Sequence, residues 1–77
     1  MRKIKQNLRY RDKNKDVLAL QFILSTEGVL PPDGYDRHNC KMDGFFGSCT
    51  IKAVKEFQKK YELLADGIVG PQTRKKL

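Results

Sequence analysis

The sequence predicts an all-α fold, a compact three-helix bundle in which two of the helices begin at matching Asp-Gly turns. Two eight-residue phrases indicate the turns: DGFFGSCT at 43–50 recurs as DGIVGPQT at 66–73. Two segments whose apolar residues repeat at helical spacing, 16–28 and 50–64, indicate the helices. Because the chain has 77 residues, we expect one domain with a modest core.

The first helix is predicted over residues 16–27. Its apolar residues cover much of the circumference, as in the central helix of a small bundle. They form two stripes, Val17, Leu20, Ile23 and Leu24 on one and Leu18 and Phe22 on the other. Asp16 is expected to cap the start through its carboxylate, and Gly28 to end the helix by accepting a left-handed conformation.

The following residues, 29–42, predict a long irregular loop because Pro31, Pro32 and Gly34 interrupt regular structure. Loops of this length in a small domain are usually functional or braced.

The second and third helices are predicted over 48–62 and 71–77. The second is amphipathic, with lysines on one face and an apolar face formed by Ala53, Val54, Phe57 and Tyr61. The third begins at Pro71, directly after Gly70, because proline suits the first helical position.

Each repeated phrase is interpreted as a turn that starts a helix. Asp accepts from the backbone amides ahead of it, and Gly takes a positive φ. Two extended apolar residues then anchor the turn in the core, and Thr50 or Thr73 bonds back to the loop. We expect Gln21 and Gln58 to place their amides on neighbouring loop backbone. The predicted core comprises Val17, Leu20, Leu24, Phe46, Val54, Phe57, Ile68 and Val69, together with Phe22.

The charge is unevenly distributed along the chain. The net charge is +7, and residues 1–15 contribute seven basic residues against Asp12, or +6, so the other 62 residues sum to +1. We therefore divide the chain into a basic arm or lead-in, 1–15, and a domain, 16–77. No apolar run approaches a membrane span, and no signal-peptide core follows the basic start. The chain is expected to be soluble, and cytosolic at synthesis or cut from a longer precursor.

Four short motifs occur in a fixed order: Asp-Val-x-x-Leu-Gln, Asp-Gly-x-Phe-Gly-x-x-Thr, Ala-Val-x-x-Phe-Gln and Asp-Gly-Ile-Val-Gly-Pro-x-Thr. In this order the chain resembles the peptidoglycan-binding domain type 1, a three-helix module attached to bacterial and phage cell-wall hydrolases. The resemblance runs from about Leu8 to Leu77. It implies a monomeric, non-catalytic module without a cofactor, which tethers an endolysin or autolysin to peptidoglycan while the chemistry lies in another domain. It also implies a place in the bacterial wall or outside the cell, with a phage gene as one possible source.

If the chain binds the wall, the expected ligand surface is the loop 33–38 with the neighbouring helix starts. Tyr35 could lie on a sugar face, and Arg37 could donate to stem-peptide carboxylates. His38 belongs to the same loop, and Phe45 lies at the edge of the patch. The alternative, that the bundle binds elsewhere, stays open.

We expect Cys40 and Cys49 to form a disulfide in air-exposed or extracellular material, because the loop that carries the first must return to the start of the second helix. In a cytosolic host the reduced form would be normal. With His38 these cysteines lack the paired Cys-x-x-Cys spacing and the fourth ligand of a structural zinc site. Counting twelve residues from Asp33, Asp36 or Asp43 reaches no Glu, so an EF-hand calcium loop is not expected. We therefore predict no metal site.

The competing function is that of a small basic helical protein that binds nucleic acid. The lysines of the second helix favour it, namely Lys52, Lys55, Lys59 and Lys60. Its affinity would fall steeply with salt. A catalytic fragment is a third class, and the short chain argues against it.

Overall fold

A computed structural model describes residues 4–29 and 43–77, which form three helices. These are α1 (Lys15–Thr26), α2 (Ser48–Lys60) and α3 (Pro71–Lys76). Each lies within two residues of its predicted bounds, and the described ranges contain two isolated β-bridges but no strand. The predicted all-α fold is confirmed. In these ranges no helix is long and apolar enough to cross a membrane.

The cap of α1 differs from the prediction. Asn14, not Asp16, is the N-cap, and its Oδ1 accepts from the backbone N–H of Val17 at 3.0 Å. Asp16 lies inside the first turn, where its Oδ2 accepts from the backbone N–H of Lys5 at 3.3 Å. The predicted end is confirmed, because Gly28 has φ 81° and its N–H donates to a carbonyl of the last turn.

Residues 4–14 pack against both repeated turns. Leu8 and Val69 exchange two backbone hydrogen bonds, of 3.0 and 2.8 Å, and Phe46 N–H donates to the carbonyl of Asp12 at 2.8 Å. Ile4 and Leu8 are buried. The domain boundary at residue 16 stays a prediction. Residues 1–15 are interpreted from the sequence as an arm or a lead-in, and these contacts favour the lead-in.

The core lies between α1, α2 and the two turns. Its buried apolar residues are Ile4, Leu8, Val17, Leu20, Ile23, Leu24, Phe46, Ala53, Val54, Phe57 and Val69. Seven of the nine predicted core positions are among them. One of the other two, Ile68, is 46% exposed, so that prediction is wrong.

Backbone alternation explains the error at Ile68. In an extended segment successive side chains point to opposite sides, so two adjacent residues cannot both face the core. Phe46 and Val69, the second apolar residue of each phrase, are fully buried, whereas Phe45 is 41% exposed like its counterpart Ile68. Each turn is therefore anchored by one apolar residue, not two.

The outer stripe of α1 is also exposed. Leu18 is 46% and Phe22 62% exposed, so the prediction that Phe22 belongs to the core is wrong. The helix buries one face against α2 and the turns, and in the described part of the chain nothing covers the opposite face enough to bury it.

A small polar cluster joins the ends of α1 and α2. The ammonium of Lys60 donates to Glu27 Oε1 at 2.8 Å, and the hydroxyl of Tyr61 donates to the same oxygen at 3.0 Å. These hydrogen bonds to Glu27 raise the pKa of Lys60 and the pKa of Tyr61 above their usual values. Because the ion pair is exposed to solvent, its contribution to stability is small.

Candidate functional site

The first turn is held by a buried glutamine of α1. Gln21 Oε1 accepts from the backbone N–H of Gly44 at 2.9 Å. Its Nε2 donates to the carbonyl of Phe45 at 2.9 Å and to Thr50 Oγ1 at 3.0 Å, with Asp43 Oδ1 farther away at 3.4 Å. One carboxamide thus joins the turn to the first turn of α2.

The second turn repeats this arrangement with a glutamine of α2. Gln58 Oε1 accepts from the N–H of Gly67 at 3.0 Å, and its Nε2 donates to Ile68 O at 2.9 Å and Thr73 Oγ1 at 3.0 Å. Asp66 Oδ1 lies 3.1 Å from the same nitrogen and accepts from Ile68 N–H at 2.9 Å. The sequence repeat is therefore a repeat of one hydrogen-bonded unit.

Both glutamines have the structural role predicted for them. The φ angles of the turn glycines, 80° at Gly44 and 77° at Gly67, confirm the predicted turn. The threonines differ from the prediction in one respect, since among the described residues their hydroxyls bond to the glutamine carboxamide and not to the loop. A carboxamide has two N–H groups. In each unit the loop carbonyl and the Thr hydroxyl accept these two, because both lie closer to Nε2 than the Asp carboxylate does.

A groove of about 380 Å³ lies beside the second turn. Its lining residues come from the end of α2, the turn and the start of α3: Gln58, Leu63, Leu64, Asp66, Ile68, Gly70, Pro71, Gln72 and Thr73. Buried Gln58 and Thr73 belong to the hydrogen-bonded unit, whereas Leu64 is 79% exposed and Ile68 46% exposed. We call this concavity the α3 groove.

The α3 groove combines apolar surface with a few polar groups. Leu64, Ile68 and Pro71 supply apolar contacts, and the exposed carboxamide of Gln72 can both donate and accept. Among the described lining residues, Asp66 carries the one charge. This combination suits a neutral ligand with N–H or hydroxyl donors better than a free carboxylate.

Most of the predicted ligand residues cannot be placed. Tyr35, Arg37, His38 and Cys40 lie outside the described residues, so the loop site and the disulfide to Cys49 stay predictions. Phe45 is described, and its ring lies beside Gly47 on the first turn, where it is partly exposed.

The sequence interpretation missed the α3 groove. No local signal marked it, because Leu64 lies seven residues after Phe57 and three after Tyr61 and so continues the predicted apolar face of the second helix, although α2 ends at Lys60. In residues 4–29 and 43–77 no cluster of three or more His, Cys, Asp or Glu side chains could hold a metal ion.

A second concavity, of about 310 Å³, lies along the exposed stripe of α1. Its lining residues are Ala19, Phe22, Ile23, Thr26, Glu27, Lys76 and Leu77. It contains no part of either hydrogen-bonded turn.

Comparison with protein families decides the kinship. The family model described as "Putative peptidoglycan binding domain" matches residues 13–77. The chain belongs to the peptidoglycan-binding domain family. Members of this family are binding modules, and the matched segment includes both repeated turns and all three helices.

Relatives of this peptidoglycan-binding domain include wall hydrolases. The chain is 40% identical over 65 residues to a Bacillus licheniformis protein named "Probable N-acetylmuramoyl-L-alanine amidase". The matched segment covers 84% of this chain and 18% of that protein. It is 42% identical over 62 residues to a spore cortex-lytic enzyme of Halalkalibacterium halodurans, and this match covers 80% of this chain and 16% of that enzyme. It thus spans less than a fifth of these relatives, which leaves room for a separate catalytic domain in each.

Solved structures share the fold of this peptidoglycan-binding domain. The SleB N-terminal domain superposes with a TM-score of 0.81 at 29% identity, with 97% of this chain and 92% of that chain covered. A Burkholderia AP3 phage endolysin superposes with a TM-score of 0.73 at 38% identity, with 88% of this chain and 23% of the endolysin covered.

Proposed function

We propose that this chain is a non-catalytic module that tethers a cell-wall hydrolase to bacterial peptidoglycan. The observation that carries the proposal is the α3 groove, built on the hydrogen-bonded unit of Gln58 within a domain of the peptidoglycan-binding family. The catalytic partner lies in the same protein or assembly, and the working place is the bacterial wall or the extracellular space. A phage gene fits the likeness to an endolysin.

The groove chemistry favours the glycan as the bound element. An acetamido sugar presents a methyl group, an N–H donor and a carbonyl acceptor. Leu64 and Ile68 can contact the methyl group, Asp66 can accept from the N–H, and Gln72 can donate to the carbonyl. Stem-peptide carboxylates are less suitable here, because the described residues of the groove lining carry one negative charge and no cation.

Sedimentation with purified insoluble peptidoglycan tests the site. Leu64→Ser combined with Gln72→Ala removes an apolar wall and a carboxamide from two exposed positions, so the fold is expected to persist. We expect binding to weaken about tenfold or more, since two contacts at the centre of a binding surface together cost at least about 1.4 kcal/mol. Far-ultraviolet circular dichroism checks that the helices are intact.

Two further variants decide between surfaces. Phe22→Ser is the matched control, because it removes an exposed apolar side chain away from the α3 groove. Tyr35→Ala with Arg37→Ala tests the loop predicted from sequence. If the loop variant loses binding and the groove variant keeps it, the α3 groove is the wrong site. If the parent domain fails to sediment with peptidoglycan at all, the proposed function is wrong.

A further inference from the structure

One face of α2 carries three lysines in a row. Lys52, Lys55 and Lys59 are spaced i, i+3 and i+7, which places them on one side of the helix. All three are exposed, and among the described residues none of them forms an ion pair. The neighbouring Lys60 differs, because its ammonium is paired with Glu27. We call the three residues the α2 lysine face.

Comparison of the two repeated units shows that packing does not require these lysines. Aligning Gln21 with Gln58 places Leu18 opposite Lys55 and Phe22 opposite Lys59. Both pairs are exposed positions at which the fold accepts an apolar side chain in one unit and a lysine in the other. The charge on α2 is therefore available for a ligand.

The α2 lysine face lies next to the α3 groove. A Cβ placed on Gly67 would meet Lys55 Cε at 3.3 Å, so the stem of this lysine lies against the second turn. Asp66 and Ile68, on either side of that glycine, line the groove. A polymer attached to a glycan bound in the groove would reach the lysines without leaving the surface of the domain.

We propose that the α2 lysine face binds a linear, phosphodiester-linked anionic polymer of the bacterial wall. The proposal rests on the proposed wall location, and it adds a second ligand of different chemistry. From Lys52 to Lys59 the helix rises about 10 Å, so one carboxylate cannot contact all three ammonium groups, whereas a chain with repeated phosphates can. Lysine ammonium groups act as hydrated point charges, which suits phosphates on a flexible backbone without fixed geometry.

The same face is poorly suited to nucleic acid. Readers of single strands add aromatic rings for base stacking, and readers of duplexes add Arg, Asn or Gln for base edges. The remaining exposed charge between these lysines is Glu56, and within the described part of α2 no exposed aromatic ring or arginine accompanies them. The described residues of this face therefore suit phosphate charge, and none of them can read bases.

The test compares bacterial wall sacculi before and after hydrofluoric acid removes their phosphodiester-linked polymers. Purified poly(glycerol phosphate) serves as the soluble probe, and single-stranded DNA with the same number of phosphates serves as the competitor. The variant is the triple substitution of Lys52, Lys55 and Lys59 to Gln, because Gln and Lys have similar helix propensities. The matched control places three Lys→Gln substitutions at Lys5, Lys13 and Lys15, which are exposed and lower the net charge equally.

We expect the α2 triple variant to bind poly(glycerol phosphate) about a hundredfold more weakly, at about fivefold per lysine. The control variant should lose much less, and Lys→Arg at the same three α2 positions should retain binding. Binding of the parent should weaken with salt, with a log–log slope of about −2 to −3. Sedimentation with acid-treated sacculi should be the same for the parent and the α2 variant.

The outcomes separate this proposal from the proposed function. Equal binding of parent and α2 triple variant to poly(glycerol phosphate) overturns the proposal. DNA that competes as well as, or better than, the polymer at equal phosphate assigns the face to nucleic acid, and also overturns it. Failure of the parent to bind acid-treated sacculi, with polymer binding intact, contradicts the peptidoglycan role instead.

Discussion

Replacing Gln58 with Ala removes the group that joins α2, the second turn and α3. Gln58 is 1% exposed, and its carboxamide contacts the backbone of Gly67 and Ile68 and the side chains of Asp66 and Thr73. Ala at this position restores none of these hydrogen bonds. The loss in free energy of unfolding depends on which of these partners can bond to water instead.

Two of the four partners belong to buried residues. Gly67 N–H and Thr73 Oγ1 would lose their bond inside the domain, whereas Asp66 and Ile68 are exposed residues that can bond to solvent. A buried polar group without a partner costs about 1–3 kcal/mol, so with the lost packing we expect about 3–5 kcal/mol. The whole domain, at about 0.05–0.15 kcal/mol per residue, has a free energy of unfolding of about 4–12 kcal/mol.

Thermal and urea unfolding measure the loss. At about 4–8 °C per kcal/mol, Gln58→Ala should lower Tm by at least about 12 °C. The matched control is Gln72→Ala, at an exposed glutamine, which should change the free energy of unfolding by less than about 0.5 kcal/mol. If Gln58→Ala and Gln72→Ala unfold at the same temperature as the parent, the structural role assigned to Gln58 is wrong.

A charged substitution at the same position tests the donor separately. In Gln58→Glu the carboxylate can still accept from Gly67, but its second oxygen faces the acceptors Ile68 O and Asp66 Oδ1. Burial and the neighbouring carboxylate raise the pKa of the introduced acid above about 4.3. Relative to the parent, this variant should be most stable below about pH 4, and it should lose stability as pH rises through the raised pKa. A pH profile parallel to that of the parent would mean that the Nε2 donor is not used.

Other perturbations test a turn, the helix ends and the cysteines. Gly67→Ala should cost at least about 1–2 kcal/mol in urea unfolding, because φ is 77° there. Gly70→Ala should cost less, because an added Cβ meets no atom of the described residues within 4 Å. Lys60 and Tyr61, the partners of Glu27, have raised pKa values, so the free energy of unfolding should fall as both deprotonate above about pH 10. In Glu27→Gln this fall should be smaller. Air-oxidised protein should show no alkylatable thiol, and reducing the predicted Cys40–Cys49 bond should cost about 2–3 kcal/mol; two free thiols after oxidation would contradict it.

The positions of the helices and turns could be predicted because they depend on local chemistry. Gly28, Pro71 and the Asp-Gly pairs act within a few residues of themselves, through φ preferences and a missing N–H. The cap of α1 was the exception. Asn14 and Asp16 lie two positions apart, and both are residue types that cap helices. Which of them caps α1 depends on the lead-in, because the backbone N–H of Lys5 donates to the carboxylate of Asp16.

The candidate site was harder to predict than the fold. The composition of the long loop led to the prediction that it carries the ligand residues. Three of these residues lie outside the described part of the chain, namely Tyr35, Arg37 and His38. The α3 groove joins the end of one helix to the start of the next. Leu64 and Gln72 are eight positions apart, and no local pattern indicates that they share a surface.

The sequence by itself determined that this is an all-α domain with a duplicated turn, and it indicated the family through four ordered motifs. Only the tertiary structure decided which side chains are buried. It buries Val69 and exposes Ile68, and it exposes Phe22 while burying Leu8 of the lead-in. The physical reason is that hydropathy measures how strongly a side chain avoids water. Whether the side chain is actually buried depends on which helices and turns pack over it, and residues distant in the sequence determine that packing.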